Sequence, residues 1–243
     1  MQTVLILGAT STVAMELATI YARKGIHLQL ASRQIRRLSS FKSDLEIRFN
    51  AKVDLVEFDV ENTESHSDFY LSLEPRPSLV VCLFGHLGKQ DEAVVDWKIA
   101  SRILNVNFVG AVSIMNIISR DFKAKRKGVL VGVSSVAGER GRQSNFIYGS
   151  AKAGFTTYLS GLRNEMVTNN VHVVTINPGF IRSKMIAGID TPAILTASPH
   201  KVALAIVKSV EKRKDVVYVL WIWKWIMFVI KLIPEFLFKR LNL

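Results

Sequence analysis

The chain has 243 residues, 49% of them hydrophobic, which excludes a disordered protein and suits one domain with a sizeable core or two small ones. Lys and Arg number 32 against 20 acidic residues, a formal net charge of +12; this admits anionic lipid or phosphorylated ligands, but no nucleic-acid-binding module accompanies it and no nucleic acid is expected. The single cysteine, Cys82, lies in the apolar run LVVCLF and excludes an internal disulfide framework, as in a reducing compartment, and MQTVLILGATS lacks the basic start of a signal peptide.

The elements alternate along the chain. Thr3–Leu7 (TVLIL) reads as a buried strand, followed by a helix over 11–24 with Met15, Leu17, Ala18 and Tyr21 as its apolar positions. A second strand is expected over 27–31, a charged amphipathic helix over 35–50, a third strand over 53–58 and a short helix over 65–73. The fourth strand, 79–84, is continuously apolar, as a strand covered on both faces must be. A long helical stretch covers 96–125, broken around 105–107. Strands over 129–134, 172–176 and Val216–Val219 follow, with helices over 146–168 and 199–212 between them. Strands alternating with helices predict an α/β fold: a doubly wound parallel sheet of about seven strands in a single domain over 1–219.

The first strand runs into Gly8-Ala9-Thr10-Ser11-Thr12-Val13-Ala14. A turn between a first strand and a first helix aims backbone N–H groups and the positive helix end at a pyrophosphate. Gly8 allows the tight turn, while Thr10, Ser11 and Thr12 add hydroxyls that bond phosphate or simply cap the helix. Thr12 and Ala14 stand where the standard fingerprint has its second and third glycines. The second strand ends Ala31-Ser32-Arg33, with no acidic residue for a ribose 2′-hydroxyl. Ser32 and Arg33 suit a 2′-phosphate instead and favour NADP(H) over NAD(H). Asp59, closing the third strand, is placed either to accept from an adenine amino group or to cap a turn.

Ser135, Tyr148 and Lys152 lie in the run SSVAGERGRQSNFIYGSAK. The four-residue spacing puts Tyr148 and Lys152 on one helix face, one turn apart. An ammonium beside a phenol favours the phenolate, and a fall from about 10 to about 7 would bring the proton within reach at neutral pH. Ser135 supplies a hydroxyl able to hold a substrate oxygen. A Tyr-x-x-x-Lys pair by itself also arises on surface helices without chemistry.

Taken together, GATSTVA after the first strand, Asp59-Val60 after the third, Val106-Asn107-Phe108-Val109-Gly110, Val133-Ser134-Ser135, Tyr148–Lys152 and Asn177-Pro178-Gly179 resemble the short-chain dehydrogenase/reductase family in order and spacing. The resemblance implies a Rossmann-like fold and a nicotinamide-dependent oxidoreductase acting between ketone and alcohol, with no metal. Tyr148 corresponds to its proton donor, Lys152 to the residue that lowers the tyrosine pKa and holds the nicotinamide ribose, and Ser135 to the carbonyl-polarising serine. Asn107 corresponds to the residue whose helix kink supports a proton relay. Besides Gly8, Thr10, Ser11, Thr12, Val13, Ser32, Arg33, Asp59 and the Tyr148/Lys152 pair, cofactor positions fall at Val60, Phe84, Gly85, Pro178, Gly179, Ile181 and Ser183. The turn 83–88 (LFGHLG) departs from the asparagine-rich turn usual in the family, and its His86 reads as a pocket-edge histidine or a catalytic one.

Within the family, FGHLGKQDEA, SSVAGERGRQSNFIYGSAKAG and WKWIMFVIKLIPEFLFKRL are similar to the keto-reductase branch that partners decaprenylphosphoryl-ribose 2-epimerase. That similarity implies a keto-sugar substrate, a pentose on a polyprenyl phosphate, whose phosphate Arg140 and Arg142 could meet, with a partner oxidase as a candidate supplier of the ketone. A reductase of apolar acyl or sterol ketones and a non-catalytic NADP-sensing protein remain alternatives. A homodimer or homotetramer is expected. The tail, 220–243, reads as an amphipathic helical anchor at the membrane surface, with a subunit interface and a spanning helix as its rivals. The implied location is cytoplasmic, peripheral on the membrane.

Overall fold

The computed structural model describes residues 2–183, 185, 188 and 190–241; the last two residues of the expected tail, 242–243, lie outside this set. Strand β1 (Thr3–Leu7) is wholly buried. Successive side chains of a strand point to opposite faces, and Val4 and Ile6 join one core while Leu5 and Leu7 join the other. Both faces are covered, which is why TVLIL carries no polar alternation.

The chain winds outward from β1 through β2 (His27–Ser32) to β3 (Val53–Glu57). It then crosses back to β4 (Leu79–Cys82), on the other side of β1, and continues through β5 (Gly128–Val133) to β6 (Val171–Pro178). A separate two-stranded ladder, β7 (Phe180–Ile181) with β8 (Thr196–Ala197), precedes β9 (Val216–Val219), which pairs with β6. The order β3-β2-β1-β4-β5-β6-β9 is parallel throughout, and its reversal between β1 and β4 opens a crevice at the strand ends.

Helices α1 (Thr12–Ala22) and α2 (Ser39–Phe49) pack on one face. Helix α3 (His66–Ser72) packs on the other. A helix the sequence reading did not place, α4 (Gln90–Val95), precedes α5 (Trp97–Leu104). The break expected in the long helix is a wide turn over Asn105–Val109, in which the Gly110 N–H returns to the Asn105 carbonyl; α6 (Gly110–Lys125) then continues. Gly110 is required there, because a Cβ would lie 2.1 Å from the Val60 carbonyl oxygen. The stretch Trp97–Lys125 is long and apolar enough to cross a membrane. Its Val106, Ile114, Met115 and Ile118 are nevertheless buried in the core beside α7 (Phe146–Met166). Helix α8 (Pro199–Glu211) returns to the first face.

The tail is shorter than expected and is docked on the body. Leu220 turns through a left-handed conformation (φ 64°), α9 covers Ile222–Leu232, and Pro234 separates it from α10 (Glu235–Phe238). Eleven residues rise about 16 Å, roughly half the hydrocarbon core of a bilayer, so α9 does not span one. Trp223 and Met227 are buried against Val136, with Phe180 and Tyr218 alongside. Arg140 donates to the carbonyls of Ile230 and Ile233, at 2.6 Å each, and pairs with Glu235 at 2.9 Å. It also stacks 3.8 Å from the Phe238 ring centroid, and Lys231 reaches Glu139 at 2.6 Å. Arg140 therefore caps the orphan carbonyls and negative end of α9, and is not available to a lipid phosphate as its sequence position had suggested.

Trp223→Ala is predicted to lower stability by about 3 kcal/mol, because it empties a packed site, whereas Trp225→Ala, at a 57% exposed position, shifts it by less than about 0.5 kcal/mol. Urea denaturation of both variants checks this; equal losses would mean that α9 is not packed as described.

Candidate active site

Three bonds clamp the end of β5 to the first three turns of α7. The Lys152 ammonium donates to the Val133 carbonyl at 3.1 Å. The Ser134 hydroxyl donates to the Lys152 carbonyl at 3.0 Å and meets the Thr156 hydroxyl at 2.6 Å. Ser135, the next residue, accepts from the Ala137 N–H at 3.1 Å and places its hydroxyl near enough to the Tyr148 phenol to lower its pKa. Of the two serines, Ser134 is thus consumed by the fold and Ser135 faces the tyrosine. Two glycines permit the close approach: a Cβ on Gly138 would lie 2.6 Å from the Ala153 nitrogen, and one on Gly149 2.8 Å from the Ala137 oxygen.

Loss of solvent governs the titration of this cluster. Lys152 is 3% exposed, and burial pushes its pKa from 10.5 down to about 8. Tyr148 is pushed up from 10.0 to about 12 by burial, with the neighbouring Ser135 hydroxyl acting in the opposite sense. The expected lowering of the Tyr148 pKa by Lys152 is therefore reversed. The ammonium lies 5.8 Å from the tyrosine ring centroid and is held by Val133, so desolvation outweighs its field. Cys82, buried behind Lys152, has its thiol pushed up to about 12 and is no nucleophile at neutral pH.

Tyr148, Ser135 and Lys152 line a cavity of about 730 Å³ at the strand ends. The turn into α1 contributes Thr10, Ser11, Thr12 and Val13; the turn after β4 contributes Phe84 and Gly85; the end of β6 and the segment after it contribute Pro178, Gly179, Ile181 and Ser183. Gly8 lies beneath, with φ +88°, and a Cβ there would sit 2.6 Å from the Phe84 nitrogen, so no larger residue fits this turn. Ser11 caps α1, accepting from the Ala14 N–H at 3.1 Å, while the buried Thr12 hydroxyl has no partner among the described residues. An orphaned hydroxyl at a helix N-terminus that opens on a cavity fits a phosphate group.

The remaining expected positions lie outside this lining. Asn107 is buried in the wide turn; its amide donates to the carbonyls of His86 (2.6 Å) and Ile103 (2.8 Å), and its oxygen accepts from the His86 N–H (3.2 Å). Asn107 and Lys152 flank Gly85, where a Cβ would lie 3.2 Å from the Asn107 oxygen and 3.8 Å from the Lys152 nitrogen. His86 holds Asn107 through its backbone, and its ring is not part of the cavity lining. Ser32 is buried and accepts from the Gln34 N–H, while Arg33 pairs with Glu61 at 3.1 Å. Asp59 accepts from the Glu61 N–H at 3.0 Å, the turn-capping alternative, and Val60 packs under Gly110.

The structure also places residues in the wall that local sequence did not single out: Gln90 and Trp223. Trp223 crosses Gly179, whose Cβ would fall 2.0 Å from the indole, and donates to the Leu195 carbonyl at 3.1 Å. Nothing in Asn177-Pro178-Gly179 announces a tryptophan more than forty residues later.

Comparison with known proteins agrees with this architecture. The short chain dehydrogenase family matches residues 2–193. An uncharacterized oxidoreductase of Mycobacterium tuberculosis is 33% identical, over 98% of this chain and 96% of its own. Among solved structures, a short-chain dehydrogenase from Burkholderia cenocepacia in complex with NADP superposes with TM-score 0.84 at 21% identity, covering 100% of both chains. One from Sphingobium yanoikuyae in complex with NADPH gives 0.83 at 20% identity, covering 97% of each. With the strand-end cavity, the adjoining Ser135 and Tyr148 and the buried Lys152 in view, the chain belongs to the short-chain dehydrogenase/reductase family and is an NAD(P)-dependent oxidoreductase.

Proposed function

We propose that this oxidoreductase works as an NADP(H)-dependent reductase of a keto-sugar, with a pentose carried on a polyprenyl phosphate as the substrate class, at the cytoplasmic surface of the membrane. The observation that carries the reading is the grouping of Ser135, Tyr148 and Lys152 on one cavity wall; burial raises the Tyr148 pKa, so the phenol keeps its proton at neutral pH and can give it to an oxygen that becomes an alkoxide. When bound, the cofactor supplies the hydride to the carbonyl carbon. Thr10, Thr12 and Val13, at the start of α1, would hold its pyrophosphate, and Ser32 with Arg33 a 2′-phosphate that competes with Glu61 for the guanidinium. Pro178, Gly179, Ile181 and Ser183 would flank its nicotinamide.

Ser135 holds the ketone oxygen, and Tyr148 protonates that oxygen as the alcohol forms. The Lys152 ammonium, one helical turn away, stabilises the phenolate left behind and holds ribose hydroxyls. Asn107 positions the 83–88 turn and thereby the wall beside Lys152. A sugar is supported by polar side chains from Gln90, Arg142 and Asn145 set into a cavity otherwise rich in Leu, Met and aromatic residues. Those same apolar residues, Leu83, Leu87, Phe180, Met185 and Trp223, favour the second reading, an apolar acyl or sterol ketone.

Membrane association is supported by the outer face of α9 and α10. Trp221 (75% exposed), Trp225 and Phe228 share an exposed face with Lys224, and Lys239 and Arg240 are exposed just after α10, a composition suited to headgroups of anionic lipid. The opposite face of α9 supplies Trp223 to the cavity, so a lipid-facing helix would also be a wall of the site.

Tyr148→Phe is expected to cut NADPH oxidation with a keto-sugar acceptor by about 10³-fold while NADPH affinity is kept. Retained turnover would remove Tyr148 from its role, and preference for sterol or acyl ketones over keto-sugars would favour the second reading. In flotation with vesicles, the full chain should rise with anionic and not with neutral lipid, and Trp225→Glu with Phe228→Glu should abolish this; a wild-type chain that stays in solution contradicts the anchor.

A further inference from the structure

Two arginines lie two residues apart on the loop after β5, and the fold uses only one of them. Arg140 is saturated by α9, Glu235 and Phe238. Arg142 lines the cavity, and its Nε is buried with no hydrogen-bond partner among the described residues. No carboxylate pairs with it among the described ion pairs, and burial holds its pKa below the usual arginine value. The Asn145 N–H donates to the Arg142 carbonyl at 3.1 Å, closing a turn that leads into α7 three residues before Tyr148. The backbone of Arg142 is thereby fixed while its side chain stays uncommitted.

Two further orphaned groups share this wall. The Gln90 side-chain oxygen accepts from the Ile147 N–H at 3.1 Å, which fixes the amide and leaves its Nε2 buried and without a partner. The Asn145 Oδ1 is likewise buried and unmatched. Buried polar groups of a folded protein are ordinarily satisfied, so three orphans on one cavity wall mark a place where a ligand completes the bonds. Their chemistry is specific: a guanidinium and an amide N–H₂ offer donors to an oxyanion, and a carbonyl oxygen accepts from a hydroxyl. The cofactor's own phosphates belong at the start of α1, so the oxyanion must arrive with the substrate.

We propose that Arg142, with Gln90 and Asn145, forms a subsite for the phosphoryl group of a polyhydroxy ketone, and that it sets preference for phosphorylated over neutral substrates. This rests on the reductase reading of the same cavity and adds to it the group recognised and the residues that recognise it. The phosphoryl group could be a soluble monoester or a lipid-linked diester; Arg142 reads the charge common to both.

The test uses the NADPH-loaded full chain, titrated with ribulose, ribulose 5-phosphate and an isoprenyl phosphodiester of a pentulose in detergent. Binding is followed by the fluorescence of bound NADPH and turnover by its oxidation. The wild type should bind the phosphorylated ketoses more tightly than ribulose by on the order of 30-fold, and Arg142→Gln should erase that ratio. Arg142→Lys, which keeps the charge and loses the fork, should retain part of it and guards against a folding defect in the glutamine variant. Tighter binding of the diester than the monoester identifies the lipid-linked source, and the reverse identifies a soluble one; either supports the subsite. Equal binding of ribulose and ribulose 5-phosphate by the wild type, or an unchanged ratio in Arg142→Gln, overturns it. Preferential binding of phosphorylated ketose without NADPH oxidation would sink the reductase reading and leave the subsite standing.

Discussion

Lys152 carries a charge into the interior, where it donates to the Val133 carbonyl and, among the described residues, has no carboxylate paired with it. Burial of an ammonium is costly, and a fold tolerates it only where the surrounding structure over-determines the position. Here the over-determination is visible. Ser134 ties the lysine's own carbonyl and Thr156, while Gly138 and Gly149 bring the loop after β5 into contact with α7. The same clamp sets Ser135 against Tyr148. Tyr148, Ser135 and Lys152 are therefore one rigid unit at the strand-end crevice, and strongly perturbed groups in a cleft are what a proton-transfer site requires.

The tail belongs to that unit. An arginine on the loop after β5 closes the C-terminal end of α9, and a tryptophan from α9 closes the cavity over Gly179. The two contacts depend on each other, because the loop that presents Arg140 also presents Arg142 two residues later. Any shift of α9 would thus be felt at the cavity wall that carries Arg142, through packed contacts.

Much of the fold was legible because its signals are local. TVLIL and LVVC are strands covered on both faces and show it as unbroken apolar runs, and the wide turn at Asn105–Val109 fell where the long helix was expected to break. The grouping of Ser135, Tyr148 and Lys152 followed from helix spacing and strand-to-helix order. What escaped was set by pairs distant in the chain. The docking of α9 needs Arg140 and Ile230, ninety residues apart, and the place of Trp223 needs Gly179. The sign of the Tyr148 shift escaped for a different reason: spacing gives adjacency of charge to phenol but not the loss of solvent around both, and loss of solvent is the larger effect. The two-residue strands β7 and β8 are too short to carry any periodicity.

The central claim, a buried ammonium poised near neutrality by desolvation, is open to direct measurement. The side chain of Lys152, assigned by its loss in Lys152→Met, can be titrated by NMR in isotope-labelled folded protein. The account predicts a midpoint of about 8, with the ammonium present below it and neutral amine above, so that the folded chain releases this proton before the unfolded chain does and gains stability as pH rises from about 8 toward 10.5. A midpoint at or above 10.5 would contradict it, because the lysine would then be solvated or paired and not buried as described.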